Sequence, residues 1–331
     1  MNNIQEAANP EQHSMTNGGA KIVFFGTSEF AVPTLERLAA GPWRPAFVVS
    51  TPDAPAGRGQ EVHVPPVKRA AVELELPLIQ PEGLAEGAER LFPPGVDLFV
   101  VASYGKILPP ELLKIPRHGS LGVHPSLLPR WRGASPIQHA ILAGDEETGV
   151  SLILMDEAVD HGPVLKVAKF KNAGLTAPEL TTRLAELGAE LLVKAIPEWL
   201  AGKIAPQPQD ESKVTWTKLL KREEGRIDWS EPAAIIERKT RAFAPWPGTY
   251  AFWQRPGGEL RLMIEKAAVA ADGGPAPGRA VGTVFVKDGR VRVETGNGVL
   301  EIERLKPEGK TSMAASEFLR GHPDFSGAVL R

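Results

Sequence analysis

Short runs of consecutive apolar residues alternate with amphipathic stretches through the first two thirds of the chain. Buried strands are predicted for KIVFF (21–25), PAFVVS (45–50), VDLFVVAS (96–103) and SLGVH (120–124). Amphipathic helices are predicted for 67–76 and for the long segment 178–202. This alternation is typical of a doubly wound, Rossmann-like α/β sheet, which we predict for a domain over residues 20–203.

The pattern changes after residue 203. KIAPQPQDES (203–212) is rich in proline and polar residues, which predicts a linker over 204–216. Beyond it, short alternating runs are separated by glycine turns such as KDGR and GNGV, a pattern typical of antiparallel strands. We therefore predict a small, OB-like β-barrel domain for 217–331. Residues 1–19 are polar, lack the apolar core of a signal peptide, and predict a disordered N-terminal extension.

Composition excludes several classes of function. The 331 residues include no cysteine, which excludes disulfides and thiolate metal sites and suits a reducing cytosol. The chain contains no run of eighteen apolar residues, so no membrane span is predicted. The seven histidines show no metal-ligand spacing, so no metal is predicted. A net charge of −2 argues against general nucleic-acid binding. Residues 205–331 carry about 20 Lys and Arg against about 17 Asp and Glu, which allows a polyanionic partner.

Two residues at predicted strand ends are candidates for chemistry. His124 ends a strand, and open α/β sheets bind ligands at the carboxyl ends of their strands. Asp160 lies in the loop before another strand, so the two form a possible proton-handling pair. The alternatives are a structural histidine and a turn-capping aspartate. FFGTSEF lacks G-x-G-x-x-G, which favours a tight turn over a dinucleotide site.

Longer motifs resemble those of the formyltransferases that use 10-formyltetrahydrofolate. HPSLLP (124–129) occurs throughout that family, which includes glycinamide ribonucleotide transformylase and the sugar-amine formyltransferases. RWRGASPIQ (130–138) and RAFAPWPG (241–248) narrow the resemblance to the methionyl-tRNA formyltransferases. TPDAPAGRGQEVHVPPVK, VVASYGKILP, AVDHGPVL and EEGRIDWS support it in the same order, from about Lys21 onward.

The resemblance implies an enzyme of translation initiation, and we predict that it is cytoplasmic and a monomer, although the sequence itself says nothing of its oligomeric state. It would transfer the formyl group of 10-formyltetrahydrofolate, its co-substrate, to the α-amino group of initiator methionyl-tRNA, without a metal. His124 would donate to the formyl oxygen, and Asp160 would orient it and help to carry the amine proton. The folate site would include Ser103, Tyr104, Gly105, Ile107, Ser126, Leu127, Leu128 and Pro129. Pro125 and Pro129 would hold this stretch in one extended shape.

The resemblance also implies a tRNA-binding surface. In the family, the loop that matches PAGRG grips the acceptor stem, and the C-terminal domain lies along the tRNA. Arg58 matches the arginine of that loop. The other residues predicted to bind tRNA are Arg130, Arg132, Lys218, Lys221 and Arg241.

Gly122 departs from the family pattern. The family reads N-V-H where this chain reads G-V-H, so the asparagine amide that contacts the formyl oxygen is missing. We expect a gap beside His124 that a water molecule fills, and the alternative is a closer approach of the neighbouring strand.

Two other functions remain open: a formyltransferase for a small sugar or nucleotide amine, and a catalytically weak tRNA- or folate-binding relative.

Overall fold

The computed structural model describes residues 19–56, 61–84, 88–92, 94–272 and 278–331. Nearly all of the predicted N-terminal extension, and Arg58, lie outside the described residues. The helices are α1 Val32–Ala40, α2 Pro66–Glu73, α3 Pro110–Leu113, α4 Pro136–Ala143, α5 Ala177–Leu200, α6 Ala233–Ala242 and α7 Ala315–Gly321.

The strands of the first half of the chain are β1 Ile22–Gly26, β2 Phe47–Val49, β3 Ala54–Ala56, β4 Glu61–His63, β5 Leu78–Ile79, β6 Leu98–Ala102, β7 Ser120–His124, β8 Arg132–Gly133, β9 Glu147–Leu154 and β10 Val164–Lys171. The remaining strands are β11 Trp216–Thr217, β12 Thr249–Arg255, β13 Gly258–Val269, β14 Val284–Lys287, β15 Arg290–Glu294, β16 Val299–Pro307 and β17 Met313–Ala314.

The chain divides into two compact units. The first comprises the described residues of Met1–Pro136, Glu147–Lys171 and Thr181–Thr217. The second comprises Ile137–Glu146, Asn172–Leu180 and Lys218–Arg331.

A seven-stranded sheet in the order β10-β9-β7-β6-β1-β2-β5 forms the centre of the first unit, as far as its described residues show. Strands β1, β2, β5, β6 and β7 are parallel, whereas β9 runs antiparallel to both β7 and β10. All residues of β1, β6 and β7 are buried, as the unbroken apolar runs of β1 and β6 predict. The predicted doubly wound α/β sheet is confirmed.

The second unit contains an antiparallel sheet in the order β12-β13-β16-β15-β14, with β17 paired to β16. Its inward side chains, such as Trp253, Leu262 and Val293, form one apolar core. The last residues of the chain join the two edge strands of this sheet. Leu330 bridges to Trp253 on β12, and Val329 bridges to Thr283, which directly precedes β14. The predicted small β-barrel is confirmed in this form.

The segment 204–216, predicted as a linker, lies within the first unit. Gln207 exchanges two backbone hydrogen bonds with Val164, of 2.8 and 2.9 Å, at the start of β10. A few residues later, β11 pairs in parallel with β8. The proline-rich composition of this segment therefore accompanies an ordered path along the first unit.

Candidate active site

The carboxyl ends of β1, β6 and β7 meet at one edge of the sheet. The chain runs from β1 outward to β2 and β5, then returns to β6 on the other side of β1, so the strand order reverses between β1 and β6. Open α/β sheets bind ligands in the crevice at such a reversal. Thr27, after β1, ties the two loops together: its N–H donates to the Ser103 carbonyl at 3.1 Å and its hydroxyl to the Tyr104 carbonyl at 2.7 Å.

His124 and Asp160 lie together at the neighbouring strand end. His124 is the last residue of β7 and is 7% exposed. Its Nδ1 is 3.4 Å from Oδ1 of Asp160, which lies in the loop between β9 and β10. Oδ2 of Asp160 accepts a hydrogen bond of 2.8 Å from the N–H of Gly133. The structure therefore brings together the two residues that the sequence places 36 positions apart.

The environment of Asp160 determines its charge. Burial raises the pKa of this carboxyl group, but the charge and hydrogen bond of His124, the N–H of Gly133 and the charge of Arg132 lower it more. The pKa of Asp160 consequently lies below its ordinary value, and the group is a carboxylate at neutral pH.

Both ring nitrogens of His124 face oxygen acceptors. Nε2 donates to the Trp131 carbonyl at 2.9 Å, while Nδ1 faces the Asp160 carboxylate. A carbonyl and an ionised carboxylate can only accept, so a neutral ring satisfies one of them and a doubly protonated ring satisfies both. Trp131 and Asp160 each have positive φ, of 64° and 51°, a conformation that is uncommon for residues other than glycine and that often marks functional sites.

The HPSLLP stretch is a hydrogen-bonded turn, so the predicted extended shape is wrong. The Ser126 hydroxyl donates to the Arg130 carbonyl at 2.6 Å. Ser151, on β9, accepts from the N–H of Leu128 at 3.0 Å and donates to the Ser126 carbonyl at 2.8 Å. These hydrogen bonds connect the turn to β9 and determine its conformation, which the two prolines alone do not. Ser151 was missed, although a serine within the apolar run GVSLILM was a usable signal.

The residues after β6 divide between the surface and the core. Ser103, Gly105 and Ile107 are exposed, and Ile107 is 73% exposed. The Tyr104 ring is buried 5.4 Å from the Phe25 ring, and burial raises its pKa to about 12. The Tyr104 side chain therefore completes the core, and the expectation that this stretch lines the folate site largely through its backbone stays a prediction. The exposed backbone of Ser103 and Gly105 and the apolar side chain of Ile107 suit the edge and face of a planar ligand.

The gap expected beside Gly122 does not exist, so that prediction is wrong. A Cβ atom at position 122 would lie 3.0 Å from Cγ1 of Ile153 and 3.2 Å from Cγ of Met155. Ile153 is the cross-strand partner of Gly122 on β9. The alternative interpretation holds, because the glycine lets these two side chains fill the space on the face of β7 that also carries His124.

The basic residues predicted to contact tRNA differ in exposure. Lys218 and Lys221 are exposed, as is Arg130, whose guanidinium lies 4.1 Å from the centre of the Trp131 ring. Arg132 is 2% exposed and binds Gln209 and Glu211, so its prediction as a phosphate contact is wrong. Arg241 is bound to the Glu237 carboxylate and the Leu175 carbonyl, which leaves it little capacity to bind phosphate.

No group of three or more His, Cys, Asp or Glu side chains in the described part of the chain could hold a metal ion. Within the same residues, no helix is long and apolar enough to cross a membrane.

Comparison with known proteins agrees with this fold. Residues 20–196 match the formyl transferase family, and residues 219–323 match the formyl transferase C-terminal domain. The methionyl-tRNA formyltransferase of Chloroflexus aurantiacus is 45% identical over 92% of this chain and 98% of its own length. That of Halorhodospira halophila is 48% identical over 91% of this chain and 96% of its own. The chain belongs to the methionyl-tRNA formyltransferase family.

Solved structures share the fold at lower identity. WlaRD, a sugar 3N-formyl transferase, is 16% identical with a TM-score of 0.63, over 89% of this chain and all of its own. HypX from Aquifex aeolicus, solved in complex with tetrahydrofolic acid, is 19% identical with a TM-score of 0.58. That match covers 90% of this chain and 46% of HypX.

Proposed function

We propose that this chain transfers the formyl group of 10-formyltetrahydrofolate to the α-amino group of initiator methionyl-tRNA. The observation that carries the proposal is the His124–Asp160 pair at the carboxyl end of β7, in a chain that its methionyl-tRNA formyltransferase relatives match over nearly its full length. The cytoplasmic location and the monomeric state stay predictions.

We assign His124 to stabilise the charge that develops on the formyl oxygen when the amine attacks. A donor or positive charge fixed in place before the reaction lowers the barrier without reorganisation. Asp160 faces Nδ1 of the ring at 3.4 Å, and its second oxygen is held by Gly133. Nε2, which donates to the Trp131 carbonyl in this structure, would donate to the formyl oxygen instead. The pair is therefore oriented before substrate arrives.

We assign Asp160 a second task, which is to accept the proton that the amine loses as the new C–N bond forms. Its carboxylate is ionised at neutral pH and lies at the carboxyl edge of the sheet. The proton then passes to N10 of the folate as the bond between N10 and the formyl carbon breaks, so the transfer is balanced in protons and charge.

The residues around the pair suit a folate with its pterin at the strand ends. The exposed stretch after β6 supplies an apolar face at Ile107 and backbone groups at Ser103 and Gly105. The turn after β7 supplies Leu127 and Pro129, which are partly exposed, beside the more deeply buried Ser126 and Leu128. We propose these two segments as opposite walls of the folate site, and the exposed Lys218 and Lys221 as tRNA phosphate contacts.

The test is mass analysis of methionine released from initiator tRNA after incubation with enzyme and 10-formyltetrahydrofolate. We expect His124→Ala and Asp160→Asn each to lower kcat/KM by about 10²–10³-fold, the usual cost of losing one fixed group that stabilises the transition state. The matched controls are His161→Ala and Asp156→Asn. These residues form a second His–Asp pair in the same loop, with Nδ1 2.6 Å from Oδ2, and their side chains are 48% and 37% exposed.

We expect the control variants to stay within about threefold of the wild-type rate, because these two side chains pair with each other and not with His124 or Asp160. No formylmethionine from the folded wild-type protein would contradict the proposed activity. Equal losses in the two His–Asp pairs would contradict the assignment of the active site.

A further inference from the structure

A buried guanidinium group connects the candidate active site to the segment 204–217. Nε and Nη2 of Arg132 donate to Oε1 of Gln209 at 3.0 and 2.8 Å. Nη1 and Nη2 donate to the Glu211 carboxylate at 3.2 and 2.6 Å. Because guanidinium groups only donate, these contacts fix the carbonyl end of the Gln209 side chain toward Arg132.

The amide nitrogen of Gln209 therefore points the other way, to the loop of Asp160. It lies within hydrogen-bond distance of three consecutive backbone carbonyl oxygens: 2.8 Å from that of Asp160, 3.0 Å from that of His161 and 2.8 Å from that of Gly162. The Gln209 side chain alone thus contacts three successive carbonyl groups in the loop that carries the Asp160 carboxylate.

Two further features of this loop restrict its conformation. Asp160 has a φ of 51°, which an L residue keeps only when its surroundings impose it. The loop also lies close against the end of β9, because a Cβ on Gly162 would come within 1.9 Å of the Leu154 carbonyl oxygen. A loop held this tightly has one position for the Asp160 carboxylate.

We propose that Gln209 is a positioning residue for Asp160, through its amide contacts with the carbonyls of residues 160–162. The proposal rests on the proposed function, since the position of Asp160 affects rate only if Asp160 takes part in formyl transfer. It gives the segment that its composition predicts as a linker a direct part in the active site.

The test is the isosteric variant Gln209→Glu. A glutamate keeps an acceptor for Arg132 but cannot donate, and it sets a carboxylate against three carbonyl oxygens. We expect kcat to fall by about 10²-fold, because a displacement of about 1 Å at a reacting group has an effect of this size. KM for methionyl-tRNA and for 10-formyltetrahydrofolate should stay within about twofold, because both ends of the Gln209 side chain are bound within the protein, to Arg132 and to the loop of Asp160.

The matched control is Gln207→Glu. Gln207 is exposed, lies two residues away in the same segment, and donates through its side chain to the Ala205 carbonyl at 3.2 Å. The same chemical change there should leave kcat within about twofold of wild type, as is usual for an exposed side chain. Equal kcat values for Gln209→Glu and Gln207→Glu would overturn the proposal.

A readout independent of activity is the ¹⁵N spectrum of the His124 ring, assigned by its loss in His124→Ala. We expect Gln209→Glu to move the Nδ1 signal toward its position in Asp160→Asn, and Gln207→Glu to leave it unchanged. An unmoved Nδ1 signal in folded Gln209→Glu would overturn the proposal even if the rate fell. If the proposed function itself fails, wild-type protein forms no product, whereas the Nδ1 comparison still decides the role of Gln209.

Folding is checked by circular dichroism before either measurement. Gln209→Met, which has a similar volume and introduces no charge, replaces Gln209→Glu if the latter fails to fold. We expect the same loss of kcat and the same movement of the Nδ1 signal. Failure of both variants to fold would assign Gln209 a structural role and overturn the proposal.

Discussion

Gly122 and His124 share one face of β7, so the missing side chain at position 122 concerns the active site directly. Ile153 and Met155 occupy the space that a side chain there would enter. The relevant consequence of the glycine is therefore local packing against β9, and a substituent at position 122 must displace one of these two apolar side chains.

We predict that Gly122→Asn lowers the free energy of unfolding by about 1–3 kcal/mol, the usual cost of overpacking a filled site. The added cost should be smaller in the Met155→Ala background, because that change opens the space beside position 122. Urea unfolding of the four proteins in this double-mutant cycle measures the coupling. The double variant should keep a kcat at or above that of Met155→Ala. Simple additivity of the two stability changes would show that Met155 does not restrict position 122.

At this scale, sequence reasoning found the residues but not their surroundings. His124 and Asp160 were recognised because strand ends and loop residues can be located along the chain. The partners of Gly122 and Arg132 could not be recognised from the sequence. Ile153 contacts Gly122 only because β7 pairs with β9, and Gln209 lies 77 positions from Arg132. The physical reason is that side-chain packing depends on which strands become neighbours.

At the scale of elements, continuous apolar runs predicted the buried parallel strands, because a strand covered on both faces has no polar side to reveal. The segment 204–216 was predicted as a linker from its prolines and polar residues. Those same polar residues, Gln209 and Glu211, bind Arg132. Composition therefore could not distinguish a solvated linker from a segment held by side-chain hydrogen bonds.

The C-terminal residues form an element that sequence patterning did not reveal. Residues 327–331 exchange backbone hydrogen bonds with Phe252 on one side and with Gly282 and Val284 on the other. These partners belong to the two ends of the second sheet, so this short segment closes the barrel and covers edges that would otherwise be unpaired.

We predict that Leu330→Ala lowers the free energy of unfolding of the second unit by about 2–5 kcal/mol, because Leu330 is a core residue of the barrel and only 2% exposed. The matched control is Val329→Ala, one residue earlier and 47% exposed, which should cost less than about 1 kcal/mol. Denaturant unfolding followed by tryptophan fluorescence compares the two. Similar losses in both variants would contradict a role for Leu330 in closing the barrel core.

For the whole molecule, the question is where the catalytic half ends. Composition places its boundary at residue 203, whereas the first compact unit extends to Thr217. The residues between these points support the turn after β7: Thr215 accepts from the N–H of Trp131 at 2.8 Å, and Thr217 accepts from the N–H of Ser135 at 3.0 Å. A fragment ending at 203 loses both acceptors together with Gln209 and Glu211.

We predict that a fragment of residues 1–217 is more stable than a fragment of residues 1–203. Each hydrogen bond lost contributes about 0.5–1.5 kcal/mol, so several together give about 3 kcal/mol, or a thermal midpoint lower by roughly 6–12 °C in a domain of this size. Both fragments lack residues 218–331 and keep the same residues before 204, so the comparison isolates residues 204–217. Thermal unfolding measures the stability, and quenching of tryptophan fluorescence by 10-formyltetrahydrofolate measures binding. The shorter fragment should also bind the folate more weakly, because the turn that carries Ser126 and Leu127 continues into the residues that Thr215 and Thr217 hold. Equal thermal midpoints and equal folate affinities would place the domain boundary at residue 203. The contacts of residues 204–217 would then contribute nothing measurable to the stability of the first unit.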